Sequence, residues 1–306
     1  MVVFAGQGDA RRSMALLWRT PGAGEVRNGP GPRPGLSIDV IVDAAIAVAD
    51  ADGMAGLSMR TVGDRLGRTG MALYTYVPSK SELLELMYDR AHAELPTDYP
   101  VPADDQIPAG SIAPAGDPVP AGSAASGWRG PLTRWAEDLW ACYLRHPWVL
   151  QVSQARPVLG PNEYAVLETL VRILYATGLD ARTLRRVVGT LFHVVRGAAQ
   201  TVAEVRQATA ATGVSDEDWW YARSALLTEV APDFAARFPT VTRMEREQAF
   251  RLDDETVPYL EQEAREAFET GLAVLLDGIE ASVERAGPGS GPGLSEPGPG
   301  RRGEPR

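Results

Sequence analysis

Apolar positions recur with helical spacing in two stretches of the chain, about 36–95 and 131–285, and neither contains a run of alternating β-branched residues. The pattern predicts an all-α protein. In the first stretch Ile38, Ile41, Val42, Ala45, Ile46 and Ala49 fall at i, i+3, i+4, i+7, i+8 and i+11, a single stripe on one helix face. Ser37 is a good N-cap for that helix, Asp39 suits its first turn, and Gly53 ends it. Ser58 opens a short second helix carrying Met59, Val62 and Leu66, which Gly67 stops. Thr69 begins a third, running to about Tyr76 before Pro78. Ser79 and Glu82 form a Ser-x-x-Glu capping box that opens a fourth, with Leu83, Leu84 and Met87.

Three short helices with a tight turn, Leu66-Gly67-Arg68-Thr69, between the second and third describe a helix-turn-helix. The third is too short and polar for a core element. Its outer face would offer Thr69, Gly70, Ala72, Tyr74 and Thr75, small groups that let the backbone near a base edge and a tyrosine that can reach a phosphate. Such packing also occurs in enzymes, so spacing alone leaves a DNA-reading face and an ordinary solvated surface both open.

The second stretch carries four further helical patterns. Leu132, Trp135, Leu139 and Tyr143 form one stripe, with Trp140 beside it, ended by His146-Pro147. Tyr164, Leu167, Leu170, Val171 and Leu174 form another, ended by Gly178. Two longer stripes occupy 181–207 and 259–284 and are long enough to continue into a partner subunit. Residues 213–258 read as partly helical, with Ser215 capping an acidic turn, and Phe238-Pro239-Thr240 reads as a loop over a pocket.

Composition divides the rest. Gly and Pro total 31 and 24 and cluster in 1–35, 96–130 and 286–306, which read as a disordered extension, a linker and a disordered tail. Met14 offers a second possible start. One cysteine, Cys142, excludes an internal disulfide and a multi-cysteine metal site. No apolar run approaches the length of a membrane span and no signal-peptide core is present, so a cytoplasmic protein without membrane contact is expected.

The net charge of −10 argues against coating nucleic acid with the whole surface. Locally the sign reverses: between Ser58 and Lys80 the cations Arg60, Arg65, Arg68 and Lys80 face Asp64 alone, whereas 36–57 carries only acids. Positive charge is concentrated where DNA would sit.

Two runs then become specific: Leu57-Ser58-Met59-Arg60-Thr61-Val62-Gly63-Asp64-Arg65-Leu66-Gly67 and Ala72-Leu73-Tyr74-Thr75-Tyr76-Val77-Pro78-Ser79-Lys80-Ser81-Glu82-Leu83-Leu84. Together they resemble the DNA-binding domain of the TetR family of transcriptional regulators over 36–95. The stretch 131–285 resembles, less closely, the C-terminal domain of the tetracycline repressor subgroup. The resemblance implies a homodimer, joined through 181–207 and 259–284, that reads a near-palindromic operator and releases it when a small-molecule inducer binds. It places Arg60, Thr61, Arg68, Thr69, Gly70, Met71, Ala72, Tyr74, Thr75, Tyr76 and Lys80 at the DNA. It implies that Lys80 adds to a helix N-terminus at a phosphate. Gly63 departs from the usual alanine, at about 1 kcal/mol in helix propensity, and Arg68 from the usual apolar residue.

An inducer site needs an apolar cavity with a few convergent polar groups. The candidates are Trp140, Tyr143, His146, Trp148, Arg156, Tyr164, Leu167, Leu170, Phe192, His193 and Arg196, with Trp135 and Tyr175 nearby. Each aromatic can equally be plain core. By the resemblance, a metal-binding histidine of the subgroup is Val152 here, a glutamate is Thr201 and a drug-contacting glutamine is Leu170. Valine and leucine offer a divalent ion no ligand, so a more apolar inducer without metal or other cofactor is expected. The other readings are an activator of the same family, an enzyme using Cys142 as nucleophile with His146 or His193 as base, and a sequence-tolerant DNA-binding protein. Nothing orients the histidines and Cys142 adjoins the apolar stripe, so no enzyme is expected.

Overall fold

The structure, a computed structural model, describes residues 3–19, 35–100, 127–251 and 257–286. The expectations for 20–34, 101–126 and 287–306 fall outside the described residues. Within them the chain is helical, and the only extended pairing is an isolated bridge between Val3 and Val152.

Four helices make a compact head: α2 (Ile38–Gly56), α3 (Met59–Leu66), α4 (Gly70–Leu73) and α5 (Lys80–His92), preceded by α1 (Ala10–Leu17). Their ends follow local chemistry. Ser37 accepts from the Val40 amide (3.3 Å) and starts α2, and Gly53 breaks its helical path at φ 67°. Ser58 and Thr61 cap α3 reciprocally: the Thr61 amide donates to Ser58 Oγ (3.1 Å) and the Ser58 amide to Thr61 Oγ1 (2.9 Å). Gly67, left-handed at φ 64°, closes α3. Ser79 accepts from the Ser81 and Glu82 amides and its hydroxyl donates to the Glu82 carboxylate, so half of the expected box forms.

Gly63 has a packing reason. A Cβ there would stand 2.7 Å from the Arg68 carbonyl oxygen and 3.0 Å from the Gly70 nitrogen. The missing side chain lets the turn close against α3, which offsets the propensity lost at that position.

The body consists of α6 (Arg129–Arg145), a 3₁₀ turn over Pro147–Gln151, α7 (Pro161–Tyr175), α8 (Ala181–Thr212), α9 (Asp216–Val230), α10 (Phe234–Arg237), α11 (Pro239–Arg246) and α12 (Tyr259–Ala286). α12 lies along α8 and buries Phe268, Leu272, Leu276 and Ile279. α6 packs on α7 and α8. Head and body share one continuous core, joined where α5 meets α7 and α2 meets the 3₁₀ turn.

Three expectations are corrected. Residues 3–19, read as disordered from their composition, hold a helix: Asp9 caps α1, and Ala5, Ser13 and Leu17 are buried. The segment docks on α5 and on residues 151–164, contacts distant in sequence that composition does not reveal. Within 96–130, Tyr99 is buried and donates to Asp138 Oδ2 (2.7 Å), so the connecting segment starts beyond it. Pro239, read as part of a loop, is the first residue of α11, where a missing amide costs a helix nothing.

Candidate functional site

The first site is the outer face of the head. Leu73 and Val77 are fully buried and pin α4 and the turn after it. That anchoring turns Met71 (75 % exposed) and Tyr74 outward. Arg68, Thr69 and Thr75 are exposed beside them, and Gly70, Ala72 and Tyr76 are half-buried. Gly70 lies against the first turn of α3, where a Cβ would meet the Met59 carbonyl oxygen at 3.2 Å. Regular helix ends at Leu73, three residues before the sequence pattern suggests: the Tyr76 amide takes the tighter i→i−3 bond to the Leu73 carbonyl, and Pro78 has no amide to give the Tyr74 carbonyl. Arg60 projects from α3 and pairs loosely with Asp64 at 3.8 Å, both groups being exposed.

Two residues of this set are used internally. Thr61 is the reciprocal cap of α3 and also donates to the Gly56 carbonyl (2.9 Å). Lys80 donates its Nζ to the Leu57 carbonyl (2.6 Å), where it ties the start of α5 to the start of α3. That bond uses one of the three N–H groups of an exposed side chain.

The second site is a cavity of about 380 Å³ between α5, α7, α8 and the wall of residues 152–159. Arg156, Tyr164, Leu167, Phe192 and His193 line it. The other six candidates do not. Trp140 stacks on Phe268 (centroids 4.6 Å apart) inside the α6–α12 core. Tyr143 and Leu170 are fully buried and do not reach the cavity surface. Arg196 donates to the Leu150 and Val152 carbonyls and so braces the wall from behind. His146 and Trp148 belong to the joint between head and body: Asp50 of α2 accepts from His146 Nδ1 (2.8 Å) and Trp148 Nε1 (2.7 Å). Glu94 faces the other His146 nitrogen at 3.2 Å and pairs with Arg145. Burial pushes the Glu94 carboxyl up, but the bonds from Arg145 and His146 outweigh it and hold the group below its ordinary range. Phe238-Pro239-Thr240 lies elsewhere.

Sequence reasoning missed Tyr88 and His92 of α5 and Glu163 of α7, all of which line the cavity. The local sequence carries no clear signal for them: α5 mixes apolar and ionisable residues, and its burial from Glu82 to Asp89 comes from elements packed around it. His92 is buried, with its ring 4.5 Å from that of Tyr88. Its Nδ1 lies 2.8 Å from the Tyr88 carbonyl oxygen; a carbonyl only accepts, so Nδ1 carries the proton. Burial pulls the His92 pKa down against that bond. Glu163 is pushed up, first by burial, and accepts from the Leu159 amide (2.6 Å).

Asp89 of α5 connects this cavity to the head. It is buried and caps α7 in place of a side chain at Gly160: its Oδ1 accepts from the Asn162 (2.9 Å) and Glu163 (3.0 Å) amides, its Oδ2 from the Asn162 side chain (2.7 Å). A Cβ at Gly160 would stand 2.1 Å from Asp89 Oδ1, so the glycine makes room for the carboxylate.

The nucleophile–base pair considered in the sequence does not form. Cys142 is buried, burial pushes its thiol up to about 12, and its Sγ faces the Ala91 carbonyl oxygen. Val152 presents only an isopropyl group to the cavity, so a divalent ion finds no ligand at that position. Among the described residues no helix is long and apolar enough to cross a membrane.

Known proteins resemble this chain in sequence and fold. The sequence profile "Bacterial regulatory proteins, tetR family" matches residues 41–87, and "Tetracyclin repressor-like, C-terminal domain" matches residues 120–283. The HTH-type transcriptional repressor DrrR1 of Streptomyces coeruleorubidus is 34 % identical over 279 residues, 91 % of this chain and 88 % of that protein. An HTH-type transcriptional regulator of Saccharopolyspora erythraea is 30 % identical over 148 residues, 48 % of this chain and 52 % of that one. The crystal structure of apo ActR from Streptomyces coelicolor superposes with a TM-score of 0.58 at 20 % identity, covering 83 % of this chain and all of that one. ActR in complex with actinorhodin superposes at 0.55 and 21 % identity, covering 83 % and 98 %.

Proposed function

The chain belongs to the TetR family of bacterial regulatory proteins, and from that premise we propose that it is a homodimeric repressor, released from its operator when a small, mostly apolar molecule fills the cavity. The observation that carries the DNA half is the outward set on α4: buried Leu73 fixes the turn, and Met71, Tyr74 and Thr75 point away from it beside Arg60 and Arg68. Arg60 and Arg68 supply phosphate contacts and the α4 residues approach base edges. Thr61 caps α3, and exposed Lys80 ties α5 to Leu57 at the start of α3 beside the same face.

The cavity supports the ligand half. Its volume lies in the small-molecule range, and its wall combines apolar and aromatic residues with a polar set of Ser153, Gln154, Arg156, Glu163 and the two histidines. ActR, which shares the fold, was crystallised with actinorhodin. α5 is the natural transmitter. Its C-terminal half contributes Tyr88 and His92 to the cavity, Asp89 grips α7, and its N-terminal end holds α3 through Lys80. A ligand that shifts α5 would rotate the head and change the spacing between the two heads of a dimer, so that they no longer fit two half-sites. α8 and α12 supply the dimer face, with Val274 of α12 exposed in the single chain and α9, carrying exposed Trp219, Trp220 and Tyr221, beside it.

Fluorescence anisotropy on DNA flanking the protein's own gene, against scrambled competitor at physiological salt, tests the reading. Binding should resist the competitor and protect two half-sites, and Tyr74→Ala with Arg68→Ala should abolish it. Equal affinity for scrambled DNA, unchanged by those substitutions, would refute the DNA-reading face.

A further inference from the structure

The outer wall of the cavity is gripped from outside by a segment that belongs to neither head nor body. The Val3 amide donates to the Gln151 carbonyl and the Ser153 amide to the Val3 carbonyl, both at 2.8 Å. The Phe4 ring lies beneath the Arg156 guanidinium, 5.9 Å from its carbon. α1 then crosses α5, and Trp18 donates Nε1 to the Leu159 carbonyl (3.0 Å), its ring 6.2 Å from that of Tyr164. Ser153, Arg156, Leu159 and Tyr164 all line the cavity.

The same segment holds the head at two points. The Gly6 amide donates to Oε1 of buried Glu85 on α5 (2.6 Å), and Arg19 pairs with Asp39 on α2 (2.6 Å). One short stretch of chain therefore bridges the wall of the ligand cavity and the DNA-reading unit, through α5 at Glu85 and through α2 at Asp39.

We propose that residues 3–19 form a strap that governs entry to the cavity and reports its opening to the head. This rests on the reading of the cavity as the ligand site. Leu159 marks where the strap acts. It is a non-glycine residue in the left-handed region (φ 61°), a conformation that persists only where neighbours impose it. Glu163 holds its amide and Trp18 its carbonyl. Releasing Trp18 removes half of that restraint and lets the wall relax outward. Few buried apolar groups anchor the strap, chiefly Ala5 and Leu17, so it detaches more readily than a core helix. A ligand displacing Leu159 or Tyr164 breaks the Trp18 contacts and, through the shared segment, loosens the hold on Glu85 and Asp39.

Stopped-flow binding of 8-anilinonaphthalene-1-sulfonate, an apolar fluorophore, tests the strap in the full chain. Leu167→Trp fills the cavity and is the control. If that variant binds the dye as the parent does, the cavity is not the binding site, and the ligand reading falls together with the strap. With dye binding lost in the control, a chain lacking residues 1–19 should associate roughly fivefold faster or more, and Trp18→Ala and Arg19→Ala about twofold faster or more, at unchanged helix content by circular dichroism. The polar partners of Arg19, Asp39 and the Leu16 carbonyl, do not line the cavity, so its effect distinguishes a strap keyed to the head from simple support of the wall. A smaller rise in the shortened chain overturns the proposal, and Arg19→Ala at the parental rate overturns the link to the head. Should the shortened chain lose helix content, Trp18→Ala decides, and a parental rate there overturns the proposal.

Discussion

His92 and Asp89 sit within one turn of α5, and each does something that its type alone does not announce. Burial lowers the His92 pKa, whereas histidine in the unfolded chain titrates near 6.5. As pH falls through about 6.5 the unfolded chain takes up the proton first, so the folded state loses stability, and the loss ends below the folded pKa. Urea unfolding should therefore give less stability at about pH 5 than at about pH 7, and His92→Gln should flatten that part of the profile. Asp89 accepts two amides and a carboxamide at the start of α7. Asp89→Ala leaves those donors without their acceptor and should cost about 1–3 kcal/mol in urea unfolding. Neither role is legible in the local sequence, because the donors and walls come from residues about seventy positions away.

At the scale of elements, the proposed dimer rests on the two long helices. α8 and α12 bury one face against each other and leave another free, including Val274, 66 % exposed. Val274→Asp places a charge on that free face. It should convert the dimer to monomer in sedimentation velocity and weaken operator binding by about a hundredfold or more, since one head grips only one half-site. An unchanged sedimentation coefficient would place the dimer contact elsewhere. Apart from α10 and α11, the helices of head and body were readable from apolar spacing, and several ends from Ser37, Ser58, Gly67, Ser79 and Ser215. α1 was not. Its few apolar residues carry no sustained period, and it is held by what it docks against.

Across the whole molecule, two polar joints hold head to body. One is Asp89 on α7. The other is Asp50, which takes hydrogen bonds from both His146 and Trp148 beneath a continuous core. Asp50→Ala leaves two buried donors unpaired and should cost about 1–3 kcal/mol. Scanning calorimetry should show one transition for the parent and, in the variant, a head that melts ahead of the body. A single transition at the parental temperature would show that the joint contributes nothing.

The candidate ligand residues show where sequence reading stops. Arg156, Tyr164, Leu167, Phe192 and His193 do face one cavity, whereas His146, Trp148 and Arg196 face a joint or a wall. An aromatic or polar residue on an apolar helix face reads the same in all three places. The sequence by itself determined the all-helical fold and the helix-turn-helix head, because periodicity and capping act over three or four residues. Only the tertiary structure decided which polar side chains share a cavity, that Asp89 and Asp50 join the two units, and that residues 3–19 strap across both. Those outcomes depend on partners some fifty to one hundred and fifty residues apart, and on burial that no local pattern encodes.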